Sequence, residues 1–222
     1  MFDQFILFCK NAFCSLLCLY VIRIFVVYFR VHKSKYVEKR PKSMPVKVMI
    51  PLGSGGHTFE MFRLIQNLGE KFYPRIYILA DSDSLSEQKA KSFEESKSIN
   101  SATKSYVIEK ILRSREVGQS WISTCFTTLK ACSTAFVLLI KHRPDLVLCN
   151  GPGTCVPICV IAFLFHVLGW KHIRIVYVES ICRVKTMSLS GKILYYIADR
   201  FFVQWPQLKE NYPHAKYIGK LI

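Results

Sequence analysis

The sequence predicts an α/β fold, one parallel sheet covered by helices on both faces, behind a single N-terminal membrane helix. Three observations carry this. An apolar run opens the chain, short β-branched runs then alternate with helical stretches, and those runs are apolar throughout rather than at every second residue. Continuous apolarity is expected of strands with both faces covered, and strand–helix alternation implies parallel pairing through right-handed crossovers. At 222 residues there is room for one good core with an appendage, but not for two full domains.

The first element is "NAFCSLLCLYVIRIFVVYFR", apolar from Ala12 to Phe29 except for Ser15 and Arg23. As a helix it is about 27 Å long, against roughly 30 Å for a bilayer core. Lys10 and Arg30 bracket it, and Tyr20 and Tyr28 suit interfacial depth. A cleaved signal peptide competes, but no small-x-small site follows and Asp3 spoils a simple basic start. Arg23 lies near enough to the end to snorkel. The segment 1–30 is therefore expected to be the anchor, and 31–45 a basic linker with Arg40 and Lys42 among its cations and Glu38 its one acid. That bias places the body, 46–222, in the cytosol and close to lipid head groups.

Within the body the expected strands are "VKVMI", "RIYILA", "SYVIEKI", "DLVLC", "IRIVYVES" and "RFFVQ". The helical stretches are Thr58 to Leu68, Ser84 to Lys97, Trp121 to Lys141, Val156 to Leu168 and Ser190 to Ala198. "ACSTAFVLLIKH" reads as too short to span a membrane, and "TCVPICVIAFLFHVLGW" as a buried helix or one lying in the interface. The polar stretch from Ser84 to Ser105 is the best candidate for a mobile surface excursion. Together these elements make one Rossmann-like domain.

Composition narrows the function. Lys and Arg outnumber Asp and Glu 31 to 15, a net charge of +16, while 51% of the residues are hydrophobic. A basic, apolar chain suits an anionic membrane, a phosphorylated ligand or nucleic acid. The absence of a zinc-finger spacing, an RRM signature or a basic heptad helix makes nucleic acid the weakest. The nine cysteines include no C-x-x-C pair and have no histidines at zinc spacing, so they read as free thiols in a reducing compartment, with no metal site.

Ligands of doubly wound sheets sit at the carboxyl ends of strands. Three features fall there. "GSGGHT" follows the first strand: Gly53, Gly55 and Gly56 can bend the turn and turn amides toward an anion, with Ser54 between them. Thr58 is placed to cap the next helix, and Glu60 to favour its dipole. The pattern is neither a Walker A loop nor a full G-x-G-x-x-G, and a plain strand–helix turn explains it as well. His57 is a hydrogen-bond donor, a base or a satisfied structural histidine. "NGPGT" repeats the arrangement with Asn150, Gly151, Gly153 and Thr154. "YVES" ends a strand in Glu179 and Ser180, with Arg183 and Lys185 beyond; Glu179 is a base, a sugar ligand or, by default, an ion-pair partner of Arg183.

"GSGGHT", "RSREVGQSW", "PDLVLCNGPGTCVPIC", "VYVESICRVKTMSLSGKILY", "FFVQWPQL" and "YIGKLI" together resemble the membrane-anchor subunit of the dolichol-pathway N-acetylglucosaminyltransferase. "GSGGH" alone also occurs in the bacterial transferase of lipid-linked peptidoglycan precursors, which holds both Rossmann halves in one chain. The resemblance implies the acceptor-side half of a GT-B enzyme, adding the second GlcNAc to dolichol-diphosphate-GlcNAc on the cytosolic face of the endoplasmic reticulum. It implies a separate soluble subunit that binds UDP-GlcNAc, with no cofactor on this chain. It places the acceptor at Gly53 to Thr58, at Asn150 to Thr154 and at Glu179, Ser180 and Arg183. His57 and Glu179 are then the catalytic candidates, and Ile218, Gly219, Lys220, Leu221 and Ile222 the partner-docking tail. Two other classes compete: a membrane-tethered adaptor with a ligand-free body, and a dinucleotide oxidoreductase, which the missing G-x-G-x-x-G disfavours.

Overall fold

A computed structural model describes residues 2–33, 44–98, 106–113, 119–217 and 219–220. The chain begins with helix α1, Phe2–Lys33, longer at both ends than the apolar run. Its stretch Ile6–Phe29, 24 residues, is long and apolar enough to cross a membrane and is almost wholly exposed. The body follows as β1 (Val48–Pro51), α2 (Gly56–Ile65), β2 (Arg75–Ala80), α3 (Ser84–Ser98) and β3 (Tyr106–Ile111). Then come α4 (Trp121–His142), β4 (Leu146–Asn150), α5 (Cys155–Val167), β5 (Arg174–Val178), α6 (Leu189–Leu194), β6 (Arg200–Val203), α7 (Pro206–Asn211) and β7 (Lys216–Tyr217). The linker cations Arg40 and Lys42 lie outside the described residues.

All neighbouring strands pair in parallel, in the order β3-β2-β1-β4-β5-β6-β7. The first three strands build one way from β1 and the rest the other way, so the switch point lies between β1 and β4. There Val48 faces Leu146 and Met49 faces Val147. Alternate residues of β1 and β2 enter opposite cores. Val48, Ile50, Tyr77 and Leu79 pack with Met61 and Ile65 of α2 and Ala90 of α3. Met49, Ile76 and Ile78 pack with Ala135, Leu139, Ile158 and Ala162 of α4 and α5. Burial on both faces is the physical reason for the unbroken apolar runs.

The structure departs from several expectations. Helix α2 starts at Gly56, two residues before Thr58, with Gly55 as its N-cap and no side-chain cap bond. Glu60 therefore lies beyond the first turn, and no acid sits there to favour the dipole. Of the polar stretch, Ser84–Ser98 is a regular helix whose Ser86, Ala90 and Glu94 are buried, and the rest lies outside the described residues. Glu94 receives Arg75 Nε at 2.7 Å, Arg75 Nη2 at 2.9 Å and the Tyr77 hydroxyl. The apolar part of α4 belongs to a 20-residue segment, Ser123–His142, long and apolar enough to cross a membrane. Cys149, Cys155 and Cys159 are buried free thiols, but the cysteines of α1 are exposed.

Arg23 does not reach along α1 toward an interface. Its Nε donates to the Val167 carbonyl at the C-terminus of α5. Gly169, at φ +76°, leaves the room: a Cβ there would collide with the guanidinium. Ile24 and Val27 pack beside it on Val167 and Phe163, so α1 is docked on the body rather than hung from it.

Candidate functional site

The two glycine turns leave adjacent strands, β1 and β4, at the switch point, and they pack against each other. A Cβ on Gly53 would lie 2.7 Å from Pro152 Cβ and 2.8 Å from His57 Cβ. Gly151, at φ +76°, faces the His57 ring, where a Cβ would lie 2.6 Å from Cε1. Glycine is therefore required at 53 and 151 by turn-on-turn packing, and at 151 by the left-handed backbone as well. Gly56 and Gly153 face open space, and so does Gly55, whose φ of +61° demands glycine for conformation alone. Ser54, Gly55, Gly56 and Gly153 form the exposed rim of the turns.

Thr58 and Thr154 support the turns from within. Thr58 is fully buried; its hydroxyl donates to the Gly53 carbonyl and lies 2.8 Å from Ser86 Oγ. Ser86 is in turn held by Asp83 Oδ2 at 2.8 Å. Thr154 Oγ1 sits 3.5 Å from the Leu52 carbonyl, tying the second turn to the first. A cavity of about 140 Å³ lies between the turns, bordered by Gly53, Ser54, Gly153, Thr154 and Arg113. Arg113 also borders a neighbouring hollow of about 700 Å³, with Lys130 on its wall. Two cations beside exposed turn amides suit a phosphate-bearing ligand.

On the other side of the turns is a cavity of about 520 Å³, lined by Gly56, His57, Glu60, Gly151, Ser180, Arg183 and Ser188 among others. The structure thus brings His57, Gly56, Gly151, Ser180 and Arg183 to one place. Asn150 lies beneath: Nδ2 donates to the Val178 carbonyl at 3.2 Å, while its buried Oδ1 has no partner.

Glu179 stands behind this wall, 0% exposed. Oε2 accepts from Ser188 N at 3.1 Å and Ser188 Oγ at 3.2 Å, and Oε1 from Ser180 N at 3.2 Å. The ion pair with Arg183 is not formed; Arg183 acts on Glu179 only through space. Burial pushes the carboxyl above the usual carboxylate range, opposed first by the Ser188 bonds, then by Ser180 N and the Arg183 charge. Gly191 is needed because any side chain there would strike Glu179 Oε2. Ser188 also caps α6 by accepting from Gly191 N at 2.9 Å.

Of the expected docking tail, Gly219 and Lys220 are described and Ile218, Leu221 and Ile222 lie outside the described residues. Lys220 Nζ sits 4.4 Å above the Trp205 ring, whose Nε1 donates to the Ile181 carbonyl at 2.7 Å. Lys220 thus sits on a ring tied to the loop that carries Ser180 and Arg183.

Sequence reasoning missed several wall residues, Glu60 and Arg113 among them. Glu60 stands three residues after His57 on one helix face, a spacing that brings both to the same side. Its signal was present, but a first-turn acid offered a simpler account. Arg113, inside the quoted "RSREVGQSW" block, had no local pattern to mark it.

Residues 48–221 match the family model described as oligosaccharide biosynthesis protein Alg14 like. The chain is 52% identical over 181 residues to the human UDP-N-acetylglucosamine transferase subunit ALG14, covering 80% of this chain and 83% of that one. It is 44% identical over 184 residues to the subunit of the same name from Yarrowia lipolytica, covering 82% and 84%. The fold is similar to that of Acinetobacter baumannii MurG, with a TM-score of 0.52 at 17% identity. That likeness covers 79% of this chain but only 44% of MurG.

Proposed function

The chain belongs to the Alg14-like family of oligosaccharide biosynthesis proteins, and on that premise we propose that it is the acceptor-side, membrane-anchoring subunit of a heteromeric UDP-GlcNAc transferase. The complex adds the second GlcNAc to dolichol-diphosphate-GlcNAc at the cytosolic face of the endoplasmic reticulum. This chain recruits a soluble subunit that holds UDP-GlcNAc, and it carries no cofactor of its own. The observation that carries the reading is the placement of both glycine turns at the switch point, between a cation-lined hollow and a polar cavity. A lipid-linked diphosphate sugar needs both kinds of wall: cations and amides for the diphosphate, hydrogen-bonding side chains for the sugar.

In this reading Arg113, Lys130 and the exposed turn amides receive the diphosphate, and the cavity by His57 receives the acceptor sugar. Transfer requires a proton acceptor near the attacking hydroxyl and charge stabilisation at the departing diphosphate. His57 lines the sugar cavity and stays a candidate for direct contact. Glu179, with both oxygens engaged, orients Ser180 and Ser188. The tail from Ile218 to Ile222 docks the partner. The anchor helix and the basic segment after it hold the site near the lipid head groups.

The test is reconstitution from detergent-solubilised membranes. The chain is expected to bring down a soluble Rossmann-type subunit and to show transfer only with it; a chain fully active alone overturns the half-enzyme reading. Near-normal turnover of His57→Ala in that complex removes the histidine from the mechanism. The adaptor reading draws on one observation, that Gly53 and Gly151 are explained by packing without a ligand. It expects Gly153→Ala to leave acceptor affinity untouched.

A further inference from the structure

Glu60 is a carboxylate on the wall of the sugar cavity that the family reading leaves without a role. It is 6% exposed, and Ser180 Oγ donates to its Oε1 at 2.8 Å. Its Oε2 is buried and has no partner. Among the described residues, the buried side-chain atoms left unpaired are His57 Nδ1, Glu60 Oε2 and Asn150 Oδ1. All three belong to the two glycine turns and the helix between them and the cavity. Buried polar atoms are nearly always paired, so a cluster of unpaired ones at a cavity points to partners that a ligand brings.

His57 Nδ1 faces the Gly151 backbone, where a Cβ would lie 2.8 Å away, and the oxygen groups around the cavity differ in what they can do. Asn150 Oδ1 is an amide oxygen with no basicity to offer. Glu179 is fully buried, and serine and backbone donors engage both of its oxygens. Glu60 has one oxygen fixed by Ser180 and the other bare, which is the arrangement a proton acceptor needs. Oε2 lies just below the wall, and the terminal carboxylate torsion is soft enough for an entering sugar to expose it. Hydrogen bonds of this kind commonly tighten only when substrate is bound.

We propose that Glu60 is the general base of the transfer, with Ser180 as its positioning residue; this rests on the acceptor-side reading above. The acceptor hydroxyl gives its proton to Glu60 Oε2 as its oxygen attacks the anomeric carbon of the nucleotide-diphosphate sugar held by the partner. The O–H bond breaks and the glycosidic O–C bond forms. The bond from the anomeric carbon to the diphosphate breaks, and its electron pair leaves on the nucleoside diphosphate. Arg183, on the same wall, is the cation beside this exchange.

The experiment uses the full chain co-purified with its donor-binding subunit, assayed with UDP-GlcNAc and a lipid-diphosphate-GlcNAc acceptor. Glu60→Gln is expected to lower kcat by about 100-fold or more, with the KM of either substrate moving less than about threefold. Ser180→Ala is expected to lower kcat by about tenfold, and the double variant to be no slower than Glu60→Gln alone, because the two residues act as one unit. A Glu60→Gln enzyme that keeps more than about a tenth of kcat, or whose loss lies in acceptor KM alone, overturns the assignment. If Glu60→Gln does not fold, Glu60→Asp and Ser180→Ala decide it: full kcat in both overturns it, and a loss in both supports it. A wild-type complex inactive on this acceptor overturns the acceptor-side reading itself, before any variant is compared.

Discussion

Two buried glutamates, one on α2 and one on α3, differ in one respect. Glu94, 1% exposed on α3, receives a two-pronged bond from Arg75 and a third from the Tyr77 hydroxyl. Glu60, on α2, receives one bond from Ser180 and leaves an oxygen bare. Buried charge is tolerated where it is paired and hydrogen-bonded, as at Glu94. That network ties α3 to β2 and engages both carboxylate oxygens. The region around Glu60 holds unpaired buried polar atoms, which cost stability and could be paired by a ligand. In this molecule the degree of hydrogen-bond saturation, not burial, separates the supporting flank from the site.

The largest expected effect tests the saturated side. Glu94→Ala strands Arg75, itself 3% exposed, and is expected to destabilise the body by about 3–5 kcal/mol. Denaturant unfolding in detergent checks it, while turnover per folded molecule stays at the wild-type level. Glu60→Gln is expected to shift unfolding by less than about 1 kcal/mol, since it removes a charge that had one partner. Equal losses at the two sites would break the comparison.

The glycine turns sharpen it next. Gly151→Ala places a side chain on the His57 ring at positive φ, and is expected to cost about 1–3 kcal/mol along with activity. Gly153→Ala meets open space, so its unfolding should stay within about 0.5 kcal/mol of wild type. A selective rise in its acceptor KM would mark that rim as ligand-facing. Thr58→Val removes two buried hydroxyl contacts and is expected to cost about 1–2 kcal/mol, with acceptor KM unchanged if Thr58 is a strut.

The smallest effect is one of pH. Burial raises the Glu179 carboxyl in the folded state, so the folded chain keeps a proton that the unfolded chain has released. Stability from this group is then full below the ordinary carboxylate range and is lost as pH rises through the folded value. Glu179→Gln should flatten that fall in melting temperature with pH; an unchanged slope would show that Glu179 is not its source.

Much of this organisation was legible in the residues. Unbroken apolar runs at β1, β2 and β4 announced strands covered on both faces, and the glycines after β1 and β4 marked the strand ends that matter. The end of α2 and the length of α6 were less legible, because helix ends depend on neighbours that the local pattern does not contain. Thr58 shows the limit: from sequence it reads as a cap, yet its hydroxyl is used by Gly53 and Ser86, 28 residues away in sequence. Glu179 and Arg183 look like an ion pair at close spacing, but Ser188 reaches the carboxylate first.

By itself the sequence determined the α/β class, the apolar N-terminal helix and the two turns, since each is written in residues near one another along the chain. Tertiary structure alone decided that the turns pack on each other, that Arg23 joins α1 to α5, and that Glu60 rather than Glu179 keeps an unpaired oxygen at the cavity. Those outcomes depend on which donors arrive from distant segments. Hydrogen-bond saturation is a property of the packed neighbourhood, and no local pattern of residues encodes it.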